Sequence, residues 1–428
     1  MPASKANPRG PDFLSPGSPS PDLLKADSLG LYFSIPFCRA KCTYCNFASG
    51  VYPGSDHARY VRRLIEEMAR ARSWARSLDL DLPRAADSVY FGGGTPVLLA
   101  PELFTQIFAA IRGEFTLTAD AEITVECAPG QLPDATLAAM AEAGVNRVSL
   151  GVQSFVDREA ALSGRLHTRA QVLDDLRRLR AAGIANLSID LLAGLAEQTL
   201  VSWRESLAAL VESQVPHGSV YMLEIDEDSR LGRELISGGS RLSARLVPSD
   251  DAIAQMYEEA VATYSAAALE QYEISNFAQP GHESRHNLRY WQRRPYLGLG
   301  LDASSMLRSD DDLVLRATTT DDLAEYLSHS PPTPETAWLG PVQQLEEAWF
   351  LGLRRNSGVA IESLREEFGA SAVEPSLAVA HRLAEDGLLT IEDETVRLTH
   401  RGRLISNDVF AEFLGLASEP ERFAAMAN

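Results

Sequence analysis

The chain reads as an α/β protein: six strand–helix units forming a TIM-like parallel sheet, then a C-terminal unit of winged-helix-like pattern. Two observations lead there. From Leu31 onward, short apolar runs alternate with amphipathic helical patterns, the series that builds a parallel sheet with right-handed crossovers. The chemically distinctive residues directly follow the strand-like runs, and functional loops in such folds gather at the C-terminal ends of the strands.

Residues 1–28 are rich in Pro, Ser and Gly and lack the apolar core of a signal peptide, so a disordered tail is expected. Strands are predicted at Leu31–Ile35, Ser88–Phe91, Glu122–Glu126, Arg147–Gly151, Asn186–Leu192 and Ser219–Leu223. Helical spacing appears between them in Tyr60, Leu64 and Met68, and again in Leu103–Ile111, Leu137–Ala143, Ala170–Ala182 and Trp203–Leu210. A longer helix near Asp250–Ala268 closes this barrel unit, expected over residues 29–270. Residues 271–336 read as an extension, dense in Asn, His, Arg, Tyr, Trp and Gly up to Met306, with Ser328–Thr336 a Pro-rich linker. In the last unit, 337–428, helices at Val342–Leu353, Ile361–Phe368 and Pro375–Gly387 precede two short strands turning at Glu392–Glu394.

With 428 residues, 45% of them hydrophobic and 23% charged, the chain can bury a sizeable core over two or three domains. A formal net charge of −20 works against nonspecific attraction to nucleic acid or anionic membrane. Glu385 and Asp386, at the end of the wing unit's third helix, argue further against DNA binding. No stretch approaches the roughly 18 unbroken apolar residues of a membrane span. Four cysteines are too few for a disulfide framework, so a reducing, cytoplasmic setting is expected.

Three of those cysteines crowd into one loop. LYFSIPFCRAKCTYCNF (Leu31–Phe47) places Cys38, Cys42 and Cys45 in C-x3-C-x2-C spacing straight after the first strand. Thiolate is the soft ligand that iron–sulfur clusters use. Three thiolates on a four-iron cube leave one iron open to a small molecule, so the trio points to cofactor activation. A structural zinc site would want four ligands, usually as two close pairs.

Other candidates end the later strands. In GGGTP, Gly92, Gly93 and Gly94 remove side chains so that backbone groups can approach a ligand, where the plainer use is a tight turn. Glu126 ends the third strand, placed to accept hydrogen bonds from sugar hydroxyls, and Cys127 beside it reads as a small half-buried residue, with a cluster-ligand role as the alternative. Gln153 ends the fourth, followed by Arg165, whose guanidinium can hold a carboxylate bidentately. Asp190 lies in an otherwise apolar strand, where an unpaired carboxylate would be costly.

The cysteine loop and its flanks resemble the radical S-adenosylmethionine (SAM) signature. With GGGTP, GVQSF, GRLH and DLLAGL in that order and spacing, the chain is similar to the branch holding coproporphyrinogen dehydrogenases (HemN) and haem chaperones (HemW), from about Leu31 to the C-terminus. The resemblance implies a partial (β/α)6 radical SAM barrel with a [4Fe-4S] cluster on Cys38, Cys42 and Cys45 and SAM at the open iron. It places Gly92, Gly93, Gly94 and Thr95 at the methionyl amino group, and Tyr32, Glu126, Gln153, Arg165 and Asp190 at SAM-binding positions.

Phe47 stands where the dehydrogenase typically carries a further Cys. YEISNFA (Tyr272–Ala278), HNLRYW (His286–Trp291) and GLGLDASS (Gly298–Ser305) look like the chaperone version, whose HNxxYW motif is implicated in holding haem. The implied function is binding haem and passing it to an acceptor protein that the sequence does not identify. The alternative is oxidative decarboxylation of coproporphyrinogen III in porphyrin biosynthesis. His286 is the expected haem ligand, imidazole being the commonest axial ligand, with Tyr290 and Trp291 as flat apolar surface. The competing reading is a hydrogen-bonded corner with Asn287 and Trp291. Ser34 and Ser304 stand where the branch often has His, and Ala193 and Ala196 replace its usual Tyr and Pro. Loss of a proton donor at Ser34 weakens the decarboxylase reading, and Ser304 removes a second haem ligand. His167 is expected on the SAM side, and His57, His282 and His329 at the surface.

Overall fold

The computed structural model describes residues 28–227, 229–239, 242–309, 313–328 and 333–416. Six parallel strands stand in chain order: β1 (Leu29–Ile35), β2 (Ala85–Gly93), β3 (Thr116–Cys127), β4 (Arg147–Gln153), β5 (Asn186–Ala193) and β6 (His217–Met222). The crossovers are α1 (Gly54–Arg76), α2 (Pro101–Glu114), α3 (Asp134–Ala143), α4 (Asp157–Leu162) with α5 (Arg169–Ala181), and α6 (Leu200–Ser213). Every strand and helix predicted for this unit is present.

Side-chain alternation gives the sheet two unlike faces. Phe33, Phe91, Val125, Val148 and Leu187 are successive register partners across five strands, and all are buried. They share one core with the apolar stripes of the helices, such as Tyr60, Leu64 and Met68 of α1. The other face is polar. Tyr32, Tyr90, Thr124 and Arg147 form one row across it, and Glu126, Ser149, Ser188 and His217 the next. A parallel sheet covered by helices on both faces carries unbroken apolar strands. The polar face is therefore the inside of a partial barrel.

The sheet is extended on both sides. After α7 (Arg230–Ser237) and α8 (Asp250–Ala266) come β7 (Glu270–Gln271) and β8 (Asn276–Ala278); β8 pairs antiparallel with β6, and β7 antiparallel with β8 at the edge. Helix α9 (Arg285–Trp291) crosses the polar face, and β9 (Tyr296–Leu299) then lies parallel to β1. The edge is completed by β10 (Ser304–Arg308), β11 (Val314–Thr318) and, after α10 (Leu323–Tyr326), β12 (Glu335–Leu339). The segment read as an extension is thus built into the main sheet, and Glu335 and Thr336, read as linker, open an edge strand. Strands this short carry too few alternations to be read from sequence.

The C-terminal unit comprises α11 (Pro341–Arg354), β13 (Val359–Ala360), α12 (Ile361–Phe368), α13 (Ala370–Glu385), β14 (Leu389–Glu392), β15 (Thr395–Leu398), α14 (His400–Leu404) and α15 (Ser406–Ala411). Its three strands order as β13-β15-β14, the wing of a winged-helix-like fold. Asp393 and Glu394 both take positive φ at the wing's turn, as a two-residue hairpin requires. Helix α13 begins before the predicted start at Pro375, which it accommodates inside. Ile274 joins this unit's core, and its N–H donates to Arg354 O at 3.2 Å. The Tyr272–Ala278 segment therefore ties the barrel to the wing unit.

Of the tail expected over 1–28, residues 1–27 lie outside the described residues, as do His329 and residues 330–332 of the linker. Ser28 does not belong to a tail: it is buried, and its hydroxyl donates to Asp87 at 2.6 Å. No helix among the described residues is long and apolar enough to cross a membrane.

Candidate cluster and cofactor cleft

The cysteine loop is closed at its neck by the chain itself. Gly50 N–H donates to Pro36 O and Cys38 N–H to Gly50 O, both at 2.9 Å. Inside the loop, Lys41 Nζ donates to Phe47 O at 2.5 Å and Ser49 O at 2.9 Å. Thr43 N–H reaches Ser163 O at 3.0 Å, anchoring the loop to the helix after β4. All three cysteines are free thiols, Cys42 buried and Cys38 and Cys45 partly exposed. Each sulfur has a polar neighbour: Thr95 Oγ1 at 3.8 Å from Cys38, Arg165 Nη1 at 3.6 Å from Cys42, and Ser49 Oγ at 3.8 Å from Cys45. Such donors steady a thiolate, against burial, which raises the Cys38 thiol's pKa. Three thiolates on one loop are a donor set that suits a cube, where each sulfur takes a different iron.

The sulfurs open onto a cleft of about 330 Å³ whose walls also hold Gly93, Gly94, Thr95, Glu126, Gln153, Arg165 and Asp190. All of these were expected from sequence, and all come from the C-terminal ends of strands or the loops after them. The glycines also make room for the chain itself. A Cβ on Gly94 would lie 2.6 Å from Ile35 O, under the start of the cysteine loop. One on Gly151 would collide with the guanidinium of Arg165, which donates to Gly151 O. Gly92 does not line the cleft; a Cβ there would stand 3.0 Å from Glu126 Oε1, so its bareness makes room for that carboxylate. Gln153 takes φ +69 where the β4–β5 register slips, a left-handed conformation of the kind that collects at functional sites.

Two carboxylates face each other across this cleft. Asp190 accepts from Ser149 Oγ at 3.2 and 3.1 Å, and burial raises its pKa. Glu126 accepts from Tyr90 Oη at 2.9 Å. Burial, with Asp190 adding to it against the Tyr90 hydrogen bond, pushes Glu126 up from 4.5 to about 7. The folded state thus holds this proton more tightly than the unfolded chain. Glu126 costs stability progressively as pH rises from 4.5 through 7, and the cost is absent below that window. Glu126→Gln is expected to stabilise the protein by about 1–3 kcal/mol at pH 8 and hardly at all at pH 5. Equal shifts in denaturation midpoint at both pH values would refute that coupling.

Tyr32 and His286 lie elsewhere. Tyr32 lines a second cavity, of about 360 Å³, with Tyr290, Trp291, Tyr296, Ser304 and Arg316. Its ring stands 6.1 Å from that of Tyr90, whose hydroxyl bonds Glu126 in the cluster cleft. His286 is 1% exposed, with Nδ1 3.0 Å from Ser88 Oγ and Nε2 2.8 Å from Tyr290 Oη. Glu122 accepts from the backbone N–H groups of Arg285 and His286 at 3.0 and 3.1 Å. Burial, then Arg289 and Arg147, push the imidazole down to about 3, so it is neutral. Both its nitrogens are hydrogen-bonded, as in the corner reading, with Ser88 and Tyr290 as side-chain partners in place of Asn287 and Trp291.

Sequence reading missed Tyr90, Ser149 and Tyr221. Tyr90 could have been found two residues before Gly92, on the same strand face. His167 lines the cleft as expected, held neutral by burial and Arg165 at a pKa of about 4. Cys127 also lines it but is buried more fully than expected, with its Sγ donating to Ala128 O at 3.6 Å. His57, expected at the surface, stacks on Phe37 at 4.0 Å.

Residues 32–210 match the radical SAM superfamily, and residues 339–405 match the HemN C-terminal domain. The haem chaperone HemW of Lactococcus lactis is 33% identical over 385 residues, covering 90% of this chain and 96% of its own. That of Bacillus subtilis is 33% identical over 389 residues, covering 90% and 98%. The solved structure of coproporphyrinogen III oxidase (HemN) from Escherichia coli, a radical SAM enzyme, aligns with a TM-score of 0.77 at 22% identity over 91% of each chain. That last likeness is one of fold.

Proposed function

We propose that this chain, which belongs to the HemW family of radical SAM proteins, is a haem chaperone. It binds a [4Fe-4S] cluster, SAM and haem, and passes haem to an acceptor protein. The observation that carries the reading further is the open, aromatic-walled cavity beside the cluster cleft, separated from it by Tyr32 and Tyr90. Tyr290, Trp291 and Tyr296 offer flat apolar walls for a macrocycle. Arg316 donates to Glu347 at 3.0 and 2.8 Å and to Tyr296 Oη at 2.8 Å, which fixes the Tyr296 wall. These residues fit haem as a seat. His286 then acts as a positioning residue, orienting Tyr290 through its Nε2.

In the cluster cleft, Cys38, Cys42 and Cys45 would hold the cluster, whose chemistry when bound is an open iron for SAM. Arg165 would hold the SAM carboxylate, Glu126 and Asp190 the ribose hydroxyls, and the backbone of Gly93–Thr95 the methionyl amine. Tyr32 takes the haem side of the partition, and Gly92 and Gln153 shape the cleft around Glu126 and Arg165. Phe47, 60% exposed at the cleft's rim, adds no fourth thiolate to the loop. Cysteine ligands of this exposure need a reducing compartment, which makes the cytoplasm the proposed location.

Anaerobic haem titration followed by visible absorption tests the seat. Trp291→Ala and His286→Ala are each expected to weaken haem binding about five- to tenfold, with the Soret maximum of His286→Ala unchanged. A shifted Soret band in that variant would make His286 the ligand after all. Formation of protoporphyrinogen from coproporphyrinogen III with SAM and reductant would make the protein an oxidase.

A further inference from the structure

Strand alternation places a separate cavity behind the proposed haem seat. Tyr296, Ser304 and Arg316 face the haem cavity, while their neighbours Leu297, Ser305 and Ala317 face the other side, towards α1. Between that face and the helix lies a groove of about 260 Å³, walled by Trp74, Ala71, Leu297 and Leu299. Protein interiors are packed as densely as organic crystals, so an apolar groove of this size with a carboxylate inside it is an unfilled place.

The carboxylate is Glu67. Its Oε2 accepts from Gly300 N–H at 3.1 Å and from Tyr326 Oη at 2.5 Å. Its Oε1 makes no hydrogen bond among the described residues. Two cations share the groove wall and act against the burial of Glu67; each is hydrogen-bonded to other groups, Arg63 to Tyr326 O at 3.1 Å and Glu66 at 3.4 Å, and Arg70 to Glu66 at 3.3 Å. Glu67 thus presents one anchored carboxylate, with an open oxygen, to an apolar slot. Few convergent polar groups in an apolar cavity are the usual make-up of a small-molecule site.

We infer that this groove is a further ligand site, which takes an amphipathic primary amine with its ammonium on Glu67 and its apolar body against Trp74 and Leu297. Burial pushes Glu67 up to about 7, which an incoming cation would reverse. The site is independent of the cluster, SAM and haem residues.

The test is calorimetric titration of the full chain at pH 8 with 3-phenylpropylamine and with its near-isosteric acid, 3-phenylpropionate. The amine is expected to bind about tenfold or more tighter than the acid, as a charge-assisted hydrogen bond allows. Glu67→Gln is expected to erase that preference. Ala71→Phe, which fills the groove, is expected to abolish binding of both while the thermal midpoint and haem titration stay as in the wild type. Equal binding of amine and acid, amine binding that survives both substitutions, or no saturable binding of the amine would each overturn the inference.

Discussion

Cys38→Ala, Cys42→Ala and Cys45→Ala are each expected to lose the cluster, with iron and acid-labile sulfide falling more than about tenfold after anaerobic reconstitution. Two thiolates cannot hold a cube whose third corner has only a methyl group to meet it. The polypeptide itself should survive, because none of the three belongs to the hydrophobic core of the barrel. The loop's closure rests on backbone groups of Pro36, Cys38 and Gly50 and on Lys41, which the substitutions leave in place. Cys127→Ala is the control: its thiol already has a carbonyl partner in the core, and the cluster should remain. Full iron and sulfide in any of the three loop variants would remove that cysteine from the ligand set.

Arg289→Leu should destabilise the fold by about 3–5 kcal/mol, the range for breaking one side of a buried ion pair. Arg289 and Asp87 pair with both side chains 0% exposed. Arg289 also donates to Ser28 O at 3.1 Å and Pro295 O at 2.9 Å, tying α9 to the strands on either side. Its loss takes the guanidinium away from the buried Asp87 carboxylate, which also accepts from the Ser28 hydroxyl. Arg289→Leu with Asp87→Leu should recover much of the loss, since the buried carboxylate is then gone too. Chemical denaturation measures both. A single-variant loss below about 1 kcal/mol would mean that water reaches Asp87 and the pair is not a linchpin. Because α9 also carries His286 and Tyr290, the single variant is expected to weaken haem binding while its iron content stays unchanged.

The residues of α9 mark the limit of sequence reading. His286, Tyr290 and Trp291 stood out as a group, yet their parts depend on partners nearly half the chain away: Ser88 for His286, Asp87 for Arg289. Nothing in local spacing announces a hydrogen bond across 198 residues. The same holds for Tyr90, whose value lies in facing Glu126 across a strand boundary. Tyr32 was grouped with the SAM residues by resemblance, and only the fold shows that it also lines the neighbouring cavity.

By itself, the sequence determined the six strand–helix units, the order of the wing unit and the set of residues around the cluster cleft. Those features rest on local periodicity and on motifs in which ligands sit a few residues apart, and both survive in one dimension. Only the tertiary structure decided which face of the sheet is polar, that the 271–336 segment extends the sheet, and that both nitrogens of the His286 imidazole are hydrogen-bonded. Each of these is set by register and contact between distant strands, where a side chain's chemistry depends on what the fold brings opposite it.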